Sequence, residues 1–510
     1  MSKPNKGKRP NYKKGRTDRK PKKSTETNAY NRDNTYDTYV SGQIGGGEND
    51  FNWYNKVPGV LDNVANLYYS QATGTKVNYP ANLSQSTNDG SHLYATPGIM
   101  TIKYIQCPGI CDDRESAMNV AVTKLYSAIR KLNANSIPYD PADLGIYLYG
   151  VMNVHATIAH AMRLYGILRV FNYANSYYPR KLFEAMGYDY DSFVDNQPYF
   201  RSIINTVINA INSRVIPGDY SLLERYVWMN KHLFIDSGNT KGQIYAYVPD
   251  GYYEFEPFTD ERGGKLAYKS FGDNVTCTQF CNILMRQASM LTNDNDFRMI
   301  SGDIAKTFES AQLAMWNPMA NDYTVEMIHG TEILSQIENA TIAPLEFYVS
   351  AFNNKSLDIT QVDGYLHYAP YADAGLVGME NYIPDYKFPM FKWFNNQHME
   401  NPQVKESTVS TRLTTLWKRR PVAGGNDQIY ISTCGSEWIT SAVIHTFQTT
   451  YGPVIVDNMV NATSLTQGEA QELTLRSVFD WAPLAILYVV SGNSANGIGV
   501  MGDLDNWIYV

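Results

Sequence analysis

Between Leu144 and Met162 the chain carries no charged residue. The run approaches the length that crosses a bilayer core of about 30 Å. Asn153, His155, Thr157 and His160 interrupt it, and such groups are costly in lipid. The run also lies inside a longer helical frame. Asp140-Pro141 sets a capping residue before a proline at the first helical position. The helical pattern continues to about Phe171, a length on the order of 45 Å at 1.5 Å per residue. A helix apolar on every side reads as the central helix of a large soluble bundle.

The neighbouring segments supply its partners. Asp113-Arg-Glu115-Ser116 leads into AMNVAVTKLYSAIRKL, with Val120, Leu125, Ile129 and Leu132 at helical spacing. Tyr177-Tyr178-Pro179-Arg180 opens a short helix closed by Gly187. Two more helices are predicted near Tyr199–Ile211 and Ser221–Leu233, so residues 113–235 read as nearly all helix. After Gly238, GQIYAYVPDGYYEFEPF alternates and carries Asp250-Gly251, the signature of a hairpin. Helical patterns return at Thr276–Leu291 and Phe297–Ser310. Residues 51–112 are mixed and turn-rich, and residues 320–460 are loop-rich with short strands. A last helix is expected near Leu465–Phe479, before the apolar segment Pro483–Val490 and the apolar end Trp507-Ile-Tyr-Val510. The fold class expected is mainly α with minor β.

Charge divides the chain more sharply than hydropathy does. Residues 1–23 hold eleven Lys or Arg and one acid, a net of +10, whereas residues 24–510 net −17. A basic tail on an acidic body suggests a tail that meets a polyanion and a body with another task. The candidate RNA-contact residues are Lys3, Lys6, Lys8, Arg9, Lys13, Lys14, Arg16, Arg19, Lys20, Lys22 and Lys23. Tyr12 is the lone aromatic among them, so the contact expected is electrostatic and blind to sequence. Residues 1–50 are nearly without aliphatic side chains and are expected to be disordered. No apolar stretch follows the basic start and there are only five cysteines, so a reducing cytosol is expected rather than secretion. Tyrosine is abundant, 39 against 19 Phe. It suits surfaces buried on association, and equally Tyr-rich strands and half-buried helix faces.

No enzyme signature survives inspection. Gly497-Ile-Gly499-Val-Met-Gly502 matches a dinucleotide fingerprint, but only eight residues follow it, too few for the helix and acid such a site needs. It reads as a Gly-rich loop. Asp189-Tyr-Asp191 and Asp294-Asn-Asp296 fall where helices begin or end, and helix capping explains them. Cys107 with Cys111 and Cys277 with Cys281 lack the CxxC or Cys/His spacing of zinc sites. His155 and His160 are five apart without the Glu of HExxH, and read as core or interface histidines. No cofactor, metal or small-molecule substrate is expected.

Two stretches carry a resemblance. IPYDPADLGIYLYGVMNVHATIAHAMRLYG, residues 137–166, and ANSYYPRKLFEAMGYDYDSF, residues 174–193, together with the basic start, resemble the capsid proteins of picobirnaviruses. The resemblance is clear over about 110–235 and holds elsewhere by length, order and composition. It implies a coat subunit that self-assembles, as dimers, into an icosahedral shell around double-stranded RNA. It also implies a helix-rich shell domain, set here at 51–240 with 461–510, and a loop- and strand-containing projecting domain at 241–460, with residues 1–50 as the arm. A virion location, assembly in the host cytoplasm and a transient contact with a host membrane follow from it. So does N-terminal processing, for which Asn28-Ala29, prone to Asn cyclisation, is the candidate bond. Two other readings stand beside it. One is a non-viral soluble RNA-binding protein that forms no particle. The other is an enzyme using a carboxylate pair such as Asp189 and Asp191.

Overall fold

The computed structural model describes residues 98–170, 178–236, 243–257, 263–342, 357–373, 404–420, 428–445, 454–456, 459–461, 479, 481–483, 485–491 and 494–501, with strand segments at 76–78 and 92–94. All belong to the compact unit 62–510.

In chain order, β1 (Lys76–Asn78) and β2 (His92–Tyr94) form a pair, and β3 (Ile99–Gln106) leads to α1 (Ala117–Leu132) and α2 (Pro141–Val170). The helix block continues through α3 (Tyr178–Ala185), α4 (Tyr190–Asp195), α5 (Gln197–Ile211) and α6 (Ser221–Lys231). Strands β4 (Leu233–Ile235), β5 (Ile244–Pro249), β6 (Gly251–Glu256) and β7 (Lys265–Ser270) precede α7 (Cys277–Asn293) and α8 (Asn295–Thr307). Next come β8 (Met327–His329), α9 (Thr331–Glu338), β9 (Thr360–Val362), β10 (Tyr365–His367), β11 (Tyr371–Asp373) and α10 (Val404–Ser410). The C-terminal part is β12 (Leu416–Arg420), β13 (Gln428–Thr433), β14 (Glu437–His445), β15 (Val454–Ile455), β16 (Met459–Asn461), β17 (Ala485–Ser491) and β18 (Ser494–Met501). The class is mainly α with minor β, as the residue patterns predict.

Helix α2 is the axis of the helix block. Every residue from Leu144 to Leu168 is buried, and no helix among the described residues is long and apolar enough to cross a membrane. Three of the polar residues that argue against lipid, Asn153, His155 and His160, tie α2 to neighbours, whereas the Thr157 hydroxyl donates to Asn153 O within the helix at 3.0 Å. Asn153 Nδ2 donates to Gln106 Oε1 of β3 at 2.6 Å. Its Oδ1 accepts from the Tyr253 backbone N–H on β6 at 2.9 Å and from Gln287 Nε2 on α7 at 2.8 Å. His155 Nδ1 accepts from Trp316 Nε1 at 2.6 Å. Most buried polar groups are hydrogen-bonded, and these contacts fix the rotation of α2 as well as its burial. Of the α2 glycines, Gly166 allows the tightest approach: a Cβ there would sit 2.5 Å from the Val325 backbone nitrogen.

The largest sheet has strand order β15-β14-β3-β5-β4-β8. Strand β3 runs parallel to β5 (Ile102↔Tyr247) and antiparallel to β14 (Gln106↔Glu437). Successive side chains leave a strand on opposite faces, and this sheet buries both. Ile244, Ala246 and Val248 enter the core that contains α2, while Tyr245 and Tyr247 enter a second core with Met100, Ile102, Ile333 and Ile337. The sheet therefore joins residues 99–106, 244–249 and 437–445, and α7 packs on α2 through Gln287. These segments fall on both sides of the numbers set for shell and projection.

Two local expectations are corrected. Asp250-Gly251 is not a hairpin turn, because β5 pairs with β3 and β4 whereas β6 pairs with β7. The Asp250 backbone N–H is already donated to Tyr104 O of β3 at 2.9 Å, so the chain passes from one sheet to another there. The glycines of the 497–502 motif lie largely in β18, paired with β17 (Leu487↔Gly499), rather than in a loop. The helix expected near 465–479 and the end at 507–510 lie outside the described residues, apart from buried Phe479.

Candidate functional site

The eleven predicted RNA-contact cations, Lys3 through Lys23, and the Asn28-Ala29 bond lie outside the described residues. The described residues include a surface groove and, among several buried charged side chains, Glu437 and Arg163.

The groove encloses about 1360 Å³ and runs between the start of α1, α6, α10 and the turn before β14. Its lining mixes Ala117, Leu222 and Trp228 with Arg225, Lys231 and Glu332. Beneath it lies Glu437, fully buried at the start of β14. Arg225 Nε donates to Glu437 Oε1 at 3.2 Å, and Arg412 Nε donates to Oε2 at 3.0 Å. The Ser436 hydroxyl donates to Oε1 at 2.8 Å, and Arg225 Nη2 donates to Gln336 Oε1 at 2.7 Å. Burial alone would raise the Glu437 carboxyl; the two guanidiniums override it and hold it below the usual range. One buried carboxylate thus binds α6, the 411–415 segment and β14 together. A buried ion pair specifies geometry more than it adds stability.

Tyrosine hydroxyls extend this centre into the helix block. Tyr149 of α2 and Tyr226 of α6 share a hydrogen bond of 2.9 Å. Tyr226 Oη also lies 3.1 Å from Cys107 O and 2.8 Å from Ser436 O. Tyr104, Tyr147, Tyr149, Tyr165, Tyr226, Tyr245, Tyr247 and Tyr368 are all fully buried within this one chain. Much of the tyrosine excess therefore serves the interior, where each ring fills volume and each hydroxyl joins elements.

The second centre is on α2. Arg163 is fully buried. Its guanidinium donates to Met229 O at 3.3 Å, His232 O at 3.2 Å, Tyr247 O at 2.5 Å and His160 Nδ1 at 2.7 Å. Burial lowers its pKa to about 10, so it remains charged at neutral pH. His160 is held well below its usual value, first by burial and then by Arg163, and stays neutral. With Nδ1 accepting from Arg163, its Nε2–H donates to Tyr188 Oη at 2.7 Å. Among the described residues no carboxylate partners Arg163, and carbonyl oxygens of Met229, His232 and Tyr247 meet it instead. Of the two readings, core or interface, the structure shows core: His155 and His160 are both buried within the chain.

The remaining candidates are structural too. Asp191 forms a two-pronged ion pair with Arg180 at 2.6 and 2.8 Å, on the surface. Asp189 occupies the N-cap position of α4 without a side-chain cap bond. Asp294 does cap α8, accepting from the Phe297 N–H at 2.9 Å. Among the described residues no cluster of three His, Cys, Asp or Glu could hold a metal ion. Cys277 and Cys281 face each other on α7, whereas Cys107 faces Cys434 rather than Cys111. Neither Glu437 with its arginines nor Arg163 with its carbonyls carries a local sequence signal. Arg225 and Glu437 are 212 positions apart, and Arg163 reads as an ordinary helix cation.

The arrangement matches known proteins along most of its length. Residues 53–488 match the family model for the picobirnavirus capsid protein. A capsid protein precursor of human picobirnavirus (strain Human/Thailand/Hy005102/-) is 24% identical over 489 residues, covering 90% of this chain and 87% of that protein. A picobirnavirus capsid solved by X-ray crystallography shares the fold, with a TM-score of 0.71 at 21% identity, covering 90% of this chain and 94% of that one. With a family match that spans most of the sequence and a shared fold, the chain belongs to the picobirnavirus capsid protein family.

Proposed function

We propose that this capsid protein assembles with itself, through dimers, into an icosahedral shell that encloses double-stranded RNA. In this reading the arm neutralises RNA phosphates and the body makes the shell. The observation that carries it is the charge division, +10 over residues 1–23 against −17 over the remainder. An acidic body repels RNA, so uptake must run through the arm. Lys3, Lys6, Lys8, Arg9, Lys13, Lys14, Arg16, Arg19, Lys20, Lys22 and Lys23 would release condensed counterions on binding. The role is structural rather than catalytic, and the burial of His155, His160 and Glu437, with His160 and Glu437 engaged by Arg163, Tyr188, Arg225 and Arg412, supports that. Particles would form in the host cytoplasm, and a transient contact with a host membrane belongs to entry.

The division into shell (51–240 with 461–510) and projection (241–460) is part of the same proposal. Because 244–256, 265–307 and 437–445 pack with the helix block, the projection would draw on the rest of 241–460.

Deleting residues 1–23 tests the arm. The truncated chain should still form particles, with the ratio of absorbance at 260 to 280 nm falling to that of protein alone. For the full chain, log affinity for RNA should fall by roughly 0.7–0.9 per neutralised phosphate per decade of salt. Particles of truncated protein that carry as much RNA as the full chain would overturn the arm's role.

A further inference from the structure

We propose that Cys107 and Cys434 form an oxidisable thiol pair, closed to a disulfide by a low-molecular-weight disulfide of the glutathione class and reopened by the matching thiol. The proposal does not depend on the assembly reading above.

The two Sγ atoms are 3.7 Å apart. An approach of about 1.7 Å would bring them to the S–S bond length of roughly 2.05 Å. Backbone bonds hold the pair there. Cys107 directly follows β3, and its N–H donates to Ser436 O at 3.0 Å. Next to it, Gln106 faces Glu437 in the β3–β14 register. Tyr226 Oη lies within bonding distance of both Cys107 O and Ser436 O, so α6 clamps the two segments from outside.

Access is one-sided. Cys434 is half-buried and lines the groove, whereas Cys107 is fully buried with its thiol donating to Gly435 O at 3.3 Å. The hydrogen bond with Cys434, reinforced by burial, pushes the Cys107 thiol up, which disfavours Cys107 as the first attacker; that hydrogen bond is lost once Cys434 carries the mixed disulfide. The Cys434 thiolate attacks one sulfur of the small disulfide, forming a mixed disulfide and expelling one small thiolate. The Cys107 thiolate then attacks the Cys434 sulfur, forming the protein disulfide and expelling the second. Two protein thiols are oxidised, two small thiols are produced, and the protons pass from the former to the latter. The other cysteines have other partners. Cys111 points at Pro108 O, 3.9 Å away, and Cys277 and Cys281 are fully buried within α7.

The link would staple the end of β3 to the turn that carries Ser436 and Glu437, fixing the groove's floor. It joins positions 327 apart in the chain, and a disulfide constrains the unfolded state more as its loop lengthens. Oxidised protein should therefore melt above reduced protein by about 5 °C.

The test equilibrates purified full-length protein in glutathione buffers of graded potential. Remaining thiols are alkylated in denaturant and peptides are mapped by mass spectrometry. The expected result is a linked peptide pair containing Cys107 and Cys434 as the first disulfide to appear, reversible by excess thiol, with Cys111, Cys277 and Cys281 alkylated. The rise in melting temperature should be absent in Cys434→Ser. Because mapping uses the unaltered chain, the result stands even if the variant fails to fold. A stable glutathione adduct on Cys434, a Cys111–Cys434 link, or five alkylated cysteines at saturating oxidant would overturn the pair. A linked pair with unchanged melting would overturn the staple.

Discussion

The arm and helix α2 are opposite solutions to carrying charge. Residues 1–23 hold eleven cations, and α2 holds only Asp143, Arg163 and Arg169 in 30 residues. For the arm, phosphate binding depends on how many cations there are and little on their order. In α2 one cation does its work from a single position, where four acceptors meet it. Number governs one region and place governs the other.

That contrast sets the order of expected effects. Arg163→Met should be the most damaging of these changes. It leaves His160 Nδ1 and three backbone carbonyls without their donor, at a cost of about 4 kcal/mol, read as a lowered denaturation midpoint. Glu437→Gln should cost somewhat less, about 3 kcal/mol at neutral pH, because Arg412 keeps partial access to water. The Glu437 carboxyl is depressed in the fold below its usual 4.5. Its contribution is therefore present above that value and is lost as pH falls through the folded pKa. Gly166→Ala should cost about 2 kcal/mol, as backbone at Val325 must shift, while Ala regains some helix propensity.

Acid should act through the buried histidines. Burial lowers His155 from 6.5 to about 4, so the unfolded chain binds a proton that the fold refuses. Stability should be flat above about pH 7 and decline below 6.5, by about 2 kcal/mol at pH 5 from His155 alone. A denaturation series from pH 8 to 5 checks this, and His155→Gln should flatten the curve. The smallest effect belongs to the arm. Replacing Arg9, Arg16 and Arg19 by Lys preserves the count, and RNA content of the particles should not change measurably. A large loss would show that the arm reads geometry and that number alone does not govern it.

The same contrast explains what was legible in the sequence. Helices α1 and α2 were visible because charge gaps, Asp140-Pro141 and apolar spacing are local. The arm was visible because composition is local too. Asp250-Gly251 looks like a hairpin because turn propensity says nothing of which strands compete for the flanking backbone, and β3 takes the Asp250 N–H. The β18 glycines read as a loop because their pairing with β17 is invisible to a motif. Glu437, its two arginines and the Cys107–Cys434 pair join residues 25 to 327 positions apart. Only the folded sheet brings them together.

The most direct test of the central claim is electron microscopy of the recombinant chain after size-exclusion chromatography, with absorbance at 260 and 280 nm recorded. The account predicts uniform closed shells that carry RNA at low salt. A small species without particles, at every salt and protein concentration, would contradict it and leave a soluble RNA-binding protein in its place.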